Sequence, residues 1–423
     1  MNTNSPMPLL RSGPEGLELE GVRLSDIATR FGTPTYVYSL AAMSTAFEAY
    51  RAALGGRHAS ICYAVKANSN LGILSAFARL GAGFDIVSGG ELERVIAAGG
   101  DPARTVFSGV GKRSDEMTLA LDAGIRCFNV ESAAELERLN EVAARACKIA
   151  PIALRVNPDV DPRTHPYIST GLRNNKFGVA FEEALGLYRH AASLDHVRIA
   201  GIACHIGSQL LDPAPIAEAA SRLIELIDAL STEAGIQLEH IDIGGGLGIR
   251  YRDEAAPSPI EYLEPVLELF SERKEEILLE PGRSLIGNAG LLLTRIEYLK
   301  LGRDRNFAIV DAAMNDLARP ALYDAWHDIV AVRPHTQEFR NYDVVGPVCE
   351  SGDFLGRDRS LAIAQGDLLA ILSAGAYGMT MSSNYNTRPR AAEVIISSGQ
   401  AHLVRRREPI ASLLALESGL PDS

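Results

Sequence analysis

At 423 residues, 47% of them hydrophobic and 22% charged, the chain can bury a sizeable core in one or two domains without disulfide or metal staples. Its net charge of −12 and pI of about 5.3 argue against nucleic acid or an anionic membrane surface as partner, since both demand a basic face. The five cysteines are odd in number and form no CxxC or zinc spacing, and no leader or membrane-length apolar run is found, so a cytoplasmic protein with free thiols and no metal is expected.

In chain order, the N-terminal segment (1–35) offers two short strand-like stretches, Leu17–Leu19 and Val22–Leu24, expected to join a β domain. From residue 36 to 284 apolar runs alternate with amphipathic ones. The runs are Ser60–Val65, Gly83–Val87, Thr105–Ser108, Arg126–Val130, Ile152–Val156, Ile199–His205, His240–Ile243 and Ile277–Glu280. Helical patterning lies between most of them, as in Asp115–Ala123, Ala133–Ala146 and Pro215–Ala234. Eight strands alternating with helices predict an α/β fold, a parallel (β/α)8 TIM-type barrel, with an open doubly wound sheet as the alternative. Residues 285–423 change texture. Ala289–Leu299, Phe307–Val310, Tyr342–Val345 and Leu368–Leu372 read as strands of a mostly antiparallel β domain. Asn157–Lys176 is long and polar, the mark of a functional loop.

The candidate chemistry sits at strand ends. Lys66, in Tyr63–Asn68, closes the first run; in a dry pocket such a lysine can form a Schiff base with an aldehyde, although taken alone the motif favours a lysine reaching from a strand end to water. Asp85 and Ser88 end the second run, and His205–Gln209, which includes Ser208, follows the sixth; an imidazole there can stack on a flat ring or fill a core position. Gly244, Gly245 and Gly246 follow the seventh run, where barrels commonly bind phosphate; a glycine run is also just a tight turn. Glu280-Pro281-Gly282-Arg283 ends the eighth. Glu280 could keep a pyridine nitrogen protonated and Arg283 could grip an anion, or Glu280 could be half of a surface ion pair. In the β domain, Arg319 and Tyr323 lie four residues apart, Cys349-Glu350 follows a strand, and Tyr377 follows the next apolar run. Asp159-Val160-Asp161 lacks the further acidic partners of a calcium loop.

Taken together and in this order, these motifs resemble the diaminopimelate decarboxylase family, fold-type III enzymes related to alanine racemase, over Leu17 to Leu413. The long loop NPDVDPRTHPYISTGLRNNKFG (Asn157–Gly178) carries the most specific part of the likeness, and Asn384-Tyr385-Asn386 fits its closing segment. The resemblance implies pyridoxal 5'-phosphate as cofactor, with Lys66 as its covalent anchor. It implies Asp85, His205, Ser208, Gly244–Gly246, Glu280, Gly282, Arg283 and Tyr377 as cofactor contacts. Arg283, Arg319, Tyr323, Glu350 and Tyr377 would hold the substrate, with Lys66, His205 and Cys349 catalytic. It further implies a homodimer whose active sites are shared, Cys349 and Glu350 acting across the interface, and decarboxylation of meso-diaminopimelate to L-lysine. The rival readings are a decarboxylase of the same fold for ornithine, arginine or carboxynorspermidine, a racemase, and a non-catalytic cofactor-binding protein. Basic substrates call for an acidic distal pocket rather than Arg319, and a racemase for a cation where Glu280 stands.

Overall fold

A computed structural model describes residues 5–161, 176–334 and 336–420, so that 162–175 of the expected long loop lie outside the described residues. The chain divides into two compact units. One comprises Ser44–Ile249 with Ala255–Leu285; the other comprises the segment up to Met43, Arg250–Glu254 and the chain from Ile286 onward.

The first unit is a closed parallel barrel. Its strands are β1 (Ala59–Ala64), β2 (Gly83–Ile86), β3 (Thr105–Phe107), β4 (Cys127–Val130), β5 (Ala150–Asn157), β6 (Val197–Ala203), β7 (His240–Asp242) and β8 (Glu276–Leu279). They pair in chain order, and β8 closes on β1 with Leu278 opposite Ser60. Both faces of each strand are covered, which is why they read as near-continuous apolar runs rather than alternating ones. Small and apolar side chains of the strands, Val106, Cys127, Ala153, Ala200, Ala203 and Leu278, form a buried cluster. Helices follow the strands and begin where a side chain can satisfy free amides. Ser132 Oγ accepts from Glu135 N–H at 3.1 Å ahead of Ala133–Arg145, and Ser258 forms a reciprocal capping box with Glu261 ahead of Pro259–Leu269. Ser88 has this same structural task, capping the helix Gly89–Ala97 through Glu91 N–H.

The second unit is built on the long strand Gly290–Leu301. It pairs antiparallel with Thr35–Ser39, Asn306–Val310 and Leu368–Ile371. Arg340–Val345, Phe354–Leu361, Ala392–Ser397, Gln400–Arg405 and Ile329–Ala331 extend the sheet, which is antiparallel except at two pairings. The N-terminal stretches do not extend it. They form a three-stranded sheet of their own (Leu10–Gly13, Gly16–Leu19, Val22–Arg23), yet Leu19 and Leu24 are buried in one core with Val37, Leu291, Leu293 and Val394. Trp326 lies in this unit against two guanidinium groups, Arg359 at 3.1 Å and Arg252 at 4.2 Å from its ring centre. No helix among the described residues is long and apolar enough to cross a membrane.

Candidate active site

Each barrel strand delivers one polar side chain at or just beyond its C-terminal end: Lys66 from β1, Asp85 from β2, Ser108 from β3, Asn129 from β4, Arg155 from β5, His205 from β6, Asp242 from β7 and Glu280 from β8. This is the end of the barrel at which loops and strand ends converge for chemistry. Lys66 Nζ meets the fully buried Asp85 Oδ2 at 2.5 Å. Asn129 Nδ2 reaches Ser108 Oγ at 3.1 Å, Asp242 Oδ2 at 3.3 Å and Glu280 Oε1 at 3.3 Å, so one amide gathers three strand ends.

Three buried carboxylates here face few cations. Burial, with the charges of Asp242 and Asp85 beside it, pushes the Glu280 carboxyl well above the usual carboxylate range. Burial also raises Asp242, to about 6, against the opposing hydrogen bonds from Glu280 and Gly244. Asp85 Oδ1 is buried with no hydrogen-bond partner. Such a cluster retains a proton unless a cation is supplied. His205 behaves in the opposite sense: burial, then Arg155 and Lys66, hold its imidazole well below its ordinary value, so it is neutral. Its Nδ1 accepts from Gly245 N–H at 3.3 Å.

The glycine run is fixed through its carbonyls. Gly244 O accepts from Glu280 N–H at 2.7 Å, Gly245 O from the Tyr262 hydroxyl at 3.0 Å and Gly246 O from Leu210 N–H at 2.9 Å. A side chain at Gly245 would meet Glu280 O at 2.2 Å, and Gly246 sits at φ +103°, so both positions require glycine. Arg283 Nε and Nη2 donate to Ser208 Oγ at 3.3 and 3.2 Å, joining the loops after β6 and β8. A Cβ on Gly282 would press on Ala67 and Ala64 at about 3.0 Å, so Gly282 lets the β8 loop close on the Lys66 turn.

The pyridoxal-binding domain model of the pyridoxal-dependent decarboxylases matches residues 40–287. The chain is 60% identical to the diaminopimelate decarboxylase of Pseudomonas aeruginosa over 95% of its own length and 97% of that protein. It is 57% identical to that of Vibrio cholerae, over 95% and 97%. The crystal structure of diaminopimelate decarboxylase from Helicobacter pylori complexed with L-lysine superposes with a TM-score of 0.89 at 41% identity, covering 93% of this chain and 98% of that one. The chain belongs to the diaminopimelate decarboxylase family.

As a diaminopimelate decarboxylase family member it is a carboxy-lyase whose cofactor is pyridoxal phosphate. The residues fit that group on their own chemistry. With Lys66 paired to Asp85, a protonated ring nitrogen is the further cation that would hold Glu280 charged, a neutral imidazole suits a ring face, and the tight glycine turn, whose Gly244 and Gly245 amides donate to Asp242 Oδ1 and His205 Nδ1, lets a phosphate approach the backbone. Ser108, Asn129, Asp242 and Arg155 carry no motif of their own in the sequence. Their signal is positional, since each lies where a barrel strand ends.

The remaining family positions lie in the second unit. Arg319 is buried at the start of the short helix Arg319–Tyr323; its Nη1 is 2.9 Å from His327 Nε2 and its guanidinium is 4.6 Å from the centre of the Tyr251 ring. Tyr323 is half-buried. Cys349 and Glu350 are exposed, with Cys349 N–H donating to Asn386 Oδ1 at 2.8 Å and Glu350 Oε1 accepting from Gly352 N–H at 3.3 Å. Tyr377 is half-buried with φ +54°.

Proposed function

We propose that this chain decarboxylates meso-2,6-diaminopimelate at its D-centre to L-lysine and carbon dioxide, the last step of lysine biosynthesis, in the cytoplasm and as a homodimer. The observation that carries the reading is the meeting of Lys66 with a buried, proton-retaining carboxylate cluster at one barrel mouth. Its support is the 60% identity to a decarboxylase of that name over nearly the whole chain.

When bound, pyridoxal phosphate supplies an electron sink for the pair left behind as the carbon–carboxylate bond breaks. Lys66 would hold it through Nζ, with Asp85 as counter-ion whenever the amine is free and charged. Glu280 would keep the ring nitrogen protonated, and Asn129 with Asp242 would orient Glu280. Neutral His205 would lie against the ring, while Gly244–Gly246, Ser208, Gly282, Arg283 and Tyr377 would bind the phosphate. Arg283, Arg319 and Tyr323 would take the distal carboxylate. Glu350 of the partner subunit would take the distal ammonium, and Cys349 of the partner subunit would deliver a proton to the carbon that has lost its carboxylate. A pocket that pairs both distal charges discriminates strongly, because a substrate lacking one of them leaves a buried charge unpaired. The cation at Arg319 disfavours ornithine and arginine, which carry no distal carboxylate.

The test is direct. Purified protein with pyridoxal phosphate and meso-diaminopimelate is expected to release carbon dioxide and lysine in equal amounts, and far less carbon dioxide from ornithine, arginine or carboxynorspermidine. Lys66→Ala is expected to lose both turnover and the visible band of lysine-bound cofactor. A variant retaining both would end the assignment.

A further inference from the structure

We infer that His327 is a positioning residue for Arg319, and through it a determinant of specificity for the carboxylate at the far end of the substrate; this rests on the role proposed above for Arg319.

His327 is completely buried. Its Nδ1 lies 2.8 Å from Leu372 O, a carbonyl that only a ring N–H can satisfy, so Nδ1 carries the hydrogen and Nε2 presents a lone pair. That lone pair, 2.9 Å from Arg319 Nη1, accepts from the guanidinium. Tyr251 completes the arrangement. Its ring lies under the guanidinium at 4.6 Å and packs edge-on against the imidazole, with centroids 5.3 Å apart and planes at 79°. The hydrogen bond and the face contact together constrain both the direction and the plane of the fork.

Leu372 directly follows the strand Leu368–Ile371, which is paired to Gly290–Leu301 at the centre of its sheet. His327 thus references the arginine of a five-residue helix to a hydrogen-bonded central strand of the sheet. A long side chain on so short a helix would otherwise lose rotamer freedom on gripping an anion, and a prepositioned fork has already lost it. The imidazole also holds the fork without adding a negative charge, which a carboxylate in the same place would do.

The experiment uses the holoenzyme with two probes: meso-diaminopimelate, and D-lysine, which is the same molecule without the distal carboxylate. His327→Phe keeps a ring to pack on Tyr251 but removes both hydrogen bonds. It is expected to raise KM for meso-diaminopimelate by about tenfold, to leave kcat within about threefold, and to leave inhibition by D-lysine unchanged within about twofold. An unchanged KM, or an equal weakening of D-lysine, overturns the inference. Arg319→Met separates the two readings. If it raises KM selectively while His327→Phe does not, only the positioning role fails; if it changes nothing, the role of Arg319 fails and this inference with it. Should His327→Phe not fold, His327→Met, which also removes both the acceptor for Arg319 and the donor to Leu372 O, is measured in its place and decided by the same outcomes.

Discussion

Single residues in the barrel mouth are constrained by charge more than by packing. Asp242 is the clearest case, because burial holds its carboxyl at about 6, above its unfolded value. The folded cofactor-free protein therefore binds a proton there that the unfolded chain releases, and this contribution falls as pH rises from about 4 through 6. Asp242→Asn removes the penalty, so the variant is expected to gain on the parent protein by on the order of 2 kcal/mol between pH 4 and 7, measured as the difference in urea midpoints at each pH. A constant difference across that range would count against a raised Asp242. Gly245→Ala tests the opposite kind of constraint. Its Cβ would lie 2.2 Å from Glu280 O, so the β7 and β8 loops must separate, and cofactor affinity is expected to fall at least about tenfold by equilibrium dialysis.

Elements were legible in the sequence to unequal degrees, for physical reasons. The barrel strands could be read within a residue or two, because strands covered on both faces become apolar runs flanked by turns. In the second unit, Phe354–Leu361 does not look like a strand in the sequence, because Arg357, Asp358 and Arg359 interrupt its hydrophobic pattern. Gln400–Arg405 is an edge strand with little to bury, and Thr35–Ser39 finds its partners in strands from distant parts of the chain. The site divides in the same way. Lys66, Glu280 and the glycine run stand in contiguous motifs, whereas the roles of Asn129 and His327 arise only from contacts between separate elements. Lys112 is another such contact. Its buried Nζ donates to Gly109 O, Asn129 O and Glu135 Oε1 at 2.7 to 2.8 Å, tying the loop after β3 to β4 and to the helix Ala133–Arg145. Lys112→Met is expected to destabilise the fold by about 3 kcal/mol, because it leaves a buried carboxylate and two carbonyls without their donor. Adding Glu135→Leu should restore much of the loss in a denaturant titration. Ser258→Ala, which removes only an exposed cap, is expected to cost about 1 kcal/mol.

At the scale of the whole molecule, the dimer proposal makes a statistical prediction. If Cys349 and Glu350 serve the neighbouring chain's site, Lys66→Ala and Cys349→Ala chains are each inactive alone. An equal mixture after dissociation and reassembly should then recover roughly a quarter of full activity, since half the dimers are hybrids with one intact site. No recovery, with hybrids detected by mass, would mean that each site is built within one chain. The placement of Trp326 has a consequence of a different kind. It is the only tryptophan in the sequence, and it stands in the unit that holds the long Gly290–Leu301 strand. Its emission therefore monitors the melting of that unit alone, while the helical ellipticity arises mainly from the barrel. Following both signals through one chemical denaturation distinguishes a molecule that comes apart in a single event from one whose halves let go in turn.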